Sequence, residues 1–454
     1  MLYEEEKGDI ELAFVGDFLA SRRLAVHREE GFLGLAEVLR GADVSFANAE
    51  TLFHNYESSP IPEAGPYGTY AVCDPATIED LKWLGVDMVA TANNHCVDYG
   101  EGGVVTNLEN LERHGLPHAG TGRTLSEAVA PAYLDTPKGS VALVAVTITM
   151  PPADHRPGEP RGPIKGRAGA NVLRHEIRCE VPVEVGDSLR AMGASLGLGR
   201  YYRETGDDIE LFGHHYEVGT EFQKRLVVNE FDRDLNLNAI AGARKLADWV
   251  VVSMHNHEAG ASPDEPSTLA EEFARACIDA GADVVFGHGP HRDRGVEIYR
   301  GRPIIYALGD FVLHNDLIKW QPWDLVQRYG LDPNVSTADI YDFRSGNDTR
   351  GMAAEHLNYQ SAIVVAKFKA HELDQIEIRP IDLGFTTGKR SMRGRPVLAE
   401  GAVAEEVLER FRTLSKTYGT TVDCDNGRGV IRVSGSIGSY EVNGLFTDEG
   451  VVGV

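Results

Sequence analysis

Cysteine is scarce in this chain: Cys73, Cys96, Cys179, Cys277 and Cys424 are the only five in 454 residues. They are odd in number, widely scattered and never spaced as CxxC. That excludes a disulfide framework and a cysteine-ligated structural zinc site, and it fits a reducing compartment. Positive charge is also short, with 44 basic against 69 acidic side chains and a formal charge of −25. A general nucleic-acid binder needs a basic footprint, and an anionic membrane surface attracts one, so neither partner is expected. An anionic substrate stays open, because a bound metal reverses the local field. No apolar run approaches the roughly 20 residues of a membrane helix. The opening "MLYEEEKGDIELAFVGD" is acidic and lacks the features of a signal peptide, so a cytoplasmic protein is expected. "GTGRTLSEA" (120–128) matches no Walker or Rossmann spacing.

What is present is an alternation of extended and helical patterns. Strands are expected at "IELAFVGD" (10–17), "DVSFANAE" (43–50), "VDMVATANNH" (86–95), "SVALVAVTIT" (140–149), "ADWVVVSMHNH" (247–257), "GADVVFGHGPH" (281–291) and "PIIYALGDF" (303–311). Helices are expected at 31–42, at 74–85 with Asp74 as N-cap and Pro75 in first position, at 267–281 and at 399–419. Such alternation, with strands apolar on both faces, predicts an α/β fold. Residues 1–150 and 241–420 read as one catalytic core, 151–240 as an inserted, substrate-selecting region and 312–360 as a second irregular insertion. A hairpin is expected at 361–384, and 421–454 reads as a tail packing on the core.

Six of these strands end in residues of metal-ligand type. They are Asp17; Asn48 with Glu50; Asn93, Asn94 and His95; His255 with His257 and Glu258; His288 with His291; and Asp310. In open α/β sheets, ligands bind beyond the carboxyl ends of the strands. A His, carboxylate and Asn set suits Mn, Zn or Fe, and its size suits two divalent metal ions. Asp310 reads as a substrate contact or a structural turn. Arg161, Lys165 and Arg167, in the Pro- and Gly-rich stretch 156–171, form a basic cluster that is either a solvated loop or a clamp for an anionic substrate. His54, His155, His214, His215 and His314 read as surface residues.

In order, "FVGD" (14–17), "NAE" (48–50), "NNHCVDYG" (93–100), "MHNHE" (254–258), "GHGPH" (287–291) and "YALGDF" (306–311) resemble the motifs of the CapA family, named for poly-γ-glutamate capsule synthesis. The resemblance spans about 10–150 and 245–420. It implies a calcineurin-like metallophosphoesterase fold, a four-layer α/β/β/α sandwich with its metal site on strand-end loops. It implies Asp17, Glu50, Asn94, His255, His288 and His291 as metal ligands. His95 would be acid/base or electrostatic stabiliser, Asp98 would orient it, and His257 would be ligand or general base. The chain departs from the family pattern at Gly289, within "MHNHE", and at Asp310, where Asn is usual.

The expected function is that of a soluble metal-dependent hydrolase with a metal-activated water, acting on a γ-glutamyl-like amide, a peptide or an ester. The substrate is a small molecule or peptide, anionic in one reading, and a homo-oligomer is compatible with the chain. Peptide Cα epimerisation at the same site, phosphoester hydrolysis and a non-catalytic binding role are the alternatives.

Overall fold

The computed structural model describes residues 7–62, 68–151 and 155–433. The start of the acidic N-terminal stretch (1–6) and the end of the expected tail (434–454) lie outside the described residues. Two large sheets face each other. The first runs Asp423–Asp425, Arg428–Arg432, Glu372–Asp382, Gln360–Lys369, Ile10–Leu19, Val44–Asn48, Met88–Ala90 and His118–Ala119, with Asp310–Leu313 paired to Ile10–Leu19 and Val397–Leu398 to Glu372–Asp382. The second runs Val296–Tyr299, Arg302–Ile305, Val284–His288, Trp249–His255, Gly139–Thr147 and Ala132–Thr136.

Period-two alternation explains why both faces of the central strands are apolar. On the first strand, Ile10, Leu12 and Phe14 point between the sheets, while Ala13 and Val15 face the outer layer. On Trp249–His255, Trp249 and Val251 point between the sheets, and Val250, Val252 and Met254 face outward. Phe14 stacks on Phe46 at 5.2 Å and meets Phe286 of the opposite sheet at 5.1 Å. Burying such a ring contributes about 2–3 kcal/mol. Outside the first sheet, helices Glu30–Gly41 and Thr77–Leu84 bring Phe32, Leu35, Ile78 and Leu81. Outside the second, helices Glu230–Ala243 and Thr268–Asp279 bring Ile240, Ala270 and Phe273. The expected four layers, α/β/β/α, are therefore present.

The expected strand 303–311 is two strands. Arg302–Ile305 ends in the second sheet and Asp310–Leu313 begins in the first. The chain crosses between sheets at Ala307–Gly309, and this is possible because Gly16 has no side chain: a Cβ there would lie 1.7 Å from the Gly309 carbonyl oxygen. Asp74 does not cap the helix after it. Its Oδ1 accepts from the Ala76 N–H at 2.9 Å in a preceding turn, and the helix starts at Thr77 without a side-chain cap. Ser267 does cap helix Thr268–Asp279, accepting from Ala270 N–H.

Within 155–240, His175–Val228 builds a separate five-stranded sheet in the order Tyr202–Thr205, Asp208–Leu211, His214–Gly219, His175–Pro182, Gln223–Val228, with helix Val183–Ser195. The inserted region thus carries a mixed sheet of its own. In the second excursion, helices Trp323–Tyr329 and Thr337–Ser345 cover Leu52, Tyr70, Val72 and Tyr99. Strands Asp423–Asp425 and Arg428–Arg432 extend the edge of the first sheet. All five cysteines are unpaired, as expected. Among the described residues, no helix is long and apolar enough to cross a membrane.

Candidate metal centre

Strand register sets the site. Asp17 pairs with Asn48 on one side and with Asp310 on the other. In the second sheet His255 pairs with His288. Alternation sends Val44, Phe46 and Asn48 between the sheets, as it does Trp249, Val251, Ser253 and His255. By simple alternation from Phe14, Asp17 would face the helices. A bulge between Phe14 and Asp17 shifts the register by one and turns its carboxylate inward. The centre is therefore the polar continuation of the inter-sheet core at the carboxyl ends of the strands.

The contacts are dense. Asp17 Oδ1 accepts from Asn48 Nδ2 at 2.7 Å and lies 3.2 Å from His288 Nδ1, while Asp17 Oδ2 accepts from the Gly289 N–H at 2.8 Å. His255 sits in the middle: its Nδ1 is 3.0 Å from His288 Nδ1, and its Nε2 is 2.9 Å from Asn94 Oδ1 and 3.7 Å from Glu50 Oε1. His257 Nε2 is 3.9 Å from the same Glu50 oxygen. His291, at φ 56°, places Nδ1 3.0 Å from Asp310 Oδ1. Ligating atoms of three overlapping sets lie within 4.8 Å of one another: Asp17, His255, His288; Glu50, His255, His257; and Asp17, Glu50, His291, Asp310.

Beside them His95 Nδ1 is 2.8 Å from Asp98 Oδ2, which also accepts from Ala71 N–H at 2.7 Å. His95 N–H donates to Asn93 Oδ1, and Asn93 Nδ2 donates to the Ala49 carbonyl. Gly289, at φ 114°, lets the backbone pass His255: a Cβ there would lie 3.1 Å from His255 Cε1.

The electrostatics show that a cation suits this set. Burial, with the carboxylates of Asp17 and Asp310, pushes Glu50 well above the usual carboxylate range. Both Glu50 oxygens, His257 Nε2 and Asp310 Oδ2 are buried without a hydrogen-bond partner among the described residues. Burial raises Asp310 to about 6, with His291 opposing, and raises Asp98 against the pull of His95. Burial would raise Asp17 too, but the hydrogen bond and charge of His288 hold it below the ordinary value. Burial and the neighbouring imidazoles drive His255 far down and His257 to about 3. The neutral imidazoles of His255 and His257 and the crowded, unpartnered carboxylates form a hard-to-borderline donor set of the kind that Mn, Zn or Fe takes.

Asp17, Glu50, Asn94, His255, His288 and His291 are thus brought together. His257 and Asp310 stand in the same cluster, so Asp310 also lies among the possible ligands. Arg161, Lys165 and Arg167 are exposed on a hairpin arm closed by the Gly158–Arg167 and Arg161–Ile164 bridges. None of the three is hydrogen-bonded or ion-paired to the cluster among the described residues. Ala168, Ala170 and Val172, which follow the arm, share an apolar cluster with Cys96 and Val97, the residues after His95. The sequence reading passed over Ser253, whose Oγ lies 2.7 Å from His288 Nε2; its place two residues before His255 was the available signal. His54 and His314 are buried, not on the surface: His54 stacks edge-on to Tyr99 at 4.4 Å, and His314 Nδ1 accepts from Ser21 N–H.

The chain is similar to the proteins y4sH and y4uA of Sinorhizobium fredii, each 34% identical over 427 residues that cover 92% of both chains. It is also similar to the PGA biosynthesis protein CapA of Bacillus subtilis, 24% identical over 348 residues, 73% of this chain and 71% of that one. With residues 11–315 matching the bacterial capsule synthesis protein family PGA_cap, which takes in every residue of the cluster, the chain belongs to that family.

Proposed function

We propose that the chain is a metal-dependent hydrolase that opens an amide or ester bond in a carboxylate-bearing substrate, in the first instance a glutamyl amide. The observation that carries the reading is Glu50, a fully buried carboxylate with both oxygens unpartnered among the described residues and five imidazole or carboxylate neighbours at ligand spacing. Asp17, His255 and His288 would hold one cation. Glu50, His257, His291, Asp310 and the Asn94 amide oxygen would complete the cradle for a second. Bound divalent cations supply Lewis acidity toward a carbonyl or phosphoryl oxygen and lower the pKa of water.

The chain's own residues supply the rest. Asp98 accepts at His95 Nδ1, which turns Nε2 into the atom that exchanges a proton with the substrate. Ala71 N–H holds the Asp98 carboxylate, so the imidazole cannot swing away. Asn48 and the Gly289 N–H fix the two oxygens of Asp17. The exposed arm with Arg161, Lys165 and Arg167 would meet the carboxylates of the substrate at the rim. The name of a relative, the PGA biosynthesis protein CapA, supports a glutamyl amide as substrate.

The test is turnover of γ-glutamyl amides and peptides by metal-loaded protein in 18O water. Two products, one carrying a single solvent oxygen, are expected. An unchanged product mass in light water with a one-unit gain in D2O would replace hydrolysis by Cα epimerisation. Turnover of phosphoesters alone would overturn the substrate class.

A further inference from the structure

A groove of about 310 Å³ lies between loop 56–60 and segment 320–322, with Tyr99, the residue after Asp98, in its wall. We infer that this groove is a recognition site for an ammonium group, the free amine of the substrate. The assignment to substrate rests on the hydrolase reading; the ammonium site itself does not.

Tyr56 is the first observation. Its backbone stands at φ 63°, a conformation rare for a bulky residue and costly to hold. Its N–H donates to His54 Nδ1 at 3.0 Å, and its ring sits edge-on to His54 and Tyr99, each at 6.1 Å. All of this leaves Tyr56 42% exposed beside Trp320, which is 67% exposed. The fold thus fixes an aromatic face at the surface where ordinary folding would tuck it in.

Charge is the second. Tyr56, Tyr99 and Trp320 supply the walls, and among the described residues Glu57 is the only charged one lining the groove, with no lysine or arginine beside it. Glu57 Oε2 is held by the Asn55 N–H at 2.6 Å, which keeps the carboxylate at the wall. Burial lowers neighbouring His54 to about 4, so it adds no positive charge there at neutral pH. Aromatic faces with one carboxylate complement an ammonium, whereas a neutral ring would gain nothing from Glu57.

Continuity with the centre is the third. Tyr99 directly follows Asp98, and the Ile61 N–H donates to the Asp98 carbonyl at 3.0 Å. A substrate amine held here stands close in the chain to the His95–Asp98 pair, so the enzyme would act near the amino end of its substrate.

The test uses the full chain carrying Asp17→Asn, labelled with 5-fluorotryptophan. The four tryptophans give four 19F signals, and the one missing from Trp320→Phe is that of Trp320. Tetramethylammonium should shift it saturably, with binding weakened about fivefold in Glu57→Gln, as loss of a half-exposed cation contact predicts. Tyr56→Phe, which keeps the ring, should bind nearly as the parent does. A shift with p-cresol but not with tetramethylammonium would overturn the inference in favour of an apolar subsite, and equal binding in Glu57→Gln would overturn it as well. With active protein, acetylating the amine of a glutamyl amide should raise KM with kcat little changed. Saturable tetramethylammonium binding without turnover of any amide would keep the ammonium site and sink the hydrolase.

Discussion

Replacing Glu50 with Gln should raise the stability of the metal-free protein and lower that of the metal-loaded one. Glu50 is completely buried, its oxygens find no donor among the described residues, and Asp17 and Asp310 repel its charge. Gln keeps the volume and removes the charge. Removing a buried, unsatisfied charged group should stabilise by about 1–3 kcal/mol at pH 8, or roughly 1–3 °C in a chain of this size. The sign of the pH dependence follows from the raised pKa. The folded, metal-free state holds this proton more tightly than the unfolded chain does, so stability falls as pH climbs above the unfolded value near 4.5. The advantage of the variant should therefore grow between pH 5 and 8. With metal at a hundred times its dissociation constant, the parent gains about 2.7 kcal/mol, and the variant should lose most of that gain. Thermal unfolding followed by circular dichroism, with chelator and then with Mn at both pH values, reads all four states. A variant that melts lower than the parent in chelator at pH 8, or an advantage that does not change with pH, would refute the reasoning.

Asp98→Asn should cut turnover by about a hundredfold while metal content stays at the parent level, since Asp98 acts through His95 and not on the cluster; loss of metal in that variant would contradict this. Gly16→Ala should destabilise by about 3 kcal/mol or more, or prevent folding, because the new methyl meets the Gly309 backbone; an unchanged melting temperature would be incompatible with the sheet crossing. Acid should unfold the protein partly through His54 and His314, which burial lowers to about 4 and about 3. Their folded values lie below the unfolded one, so the stability they contribute is present above pH 6.5 and lost as pH falls toward 4, His54 alone accounting for about 3 kcal/mol. A His314→Gln variant should take up fewer protons on acid unfolding, and an unchanged proton count would exclude the role assigned to His314.

The strand ends were legible because their chemistry contradicts their surroundings: "VVFGH" is apolar until the residue that reaches the site, and "VVVSMH" is broken only by Ser253. Asp17, His255 and His288 could be read that way, and so could the two-sided burial of the strands. Asp310 was harder. A run such as "PIIYALGDF" has one continuous strand pattern, and only the contact of Gly309 with Gly16 reveals that it changes sheets and sets Asp310 beside Asp17. The bulge that turns Asp17 inward leaves no local signature either, since it depends on pairing with Val44–Asn48. The inserted sheet was only half visible: "HEIRCEVP" and "QKRLVV" mix charge and apolar residues, and His175–Pro182 gains its parallel partner His214–Gly219 from far along the chain. His54 and His314 read as polar loop residues, yet tertiary packing encloses both.

The central claim is that Asp17, Glu50 and the imidazoles around them hold catalytic metal. It is tested most directly by the metal content of untagged protein prepared without chelator, measured by mass spectrometry beside Asp17→Asn. About two equivalents of Mn, Zn or Fe per chain in the parent, falling in the variant, is the predicted result. Protein that binds no divalent metal even after reconstitution, or a variant that retains the full complement, would contradict the account.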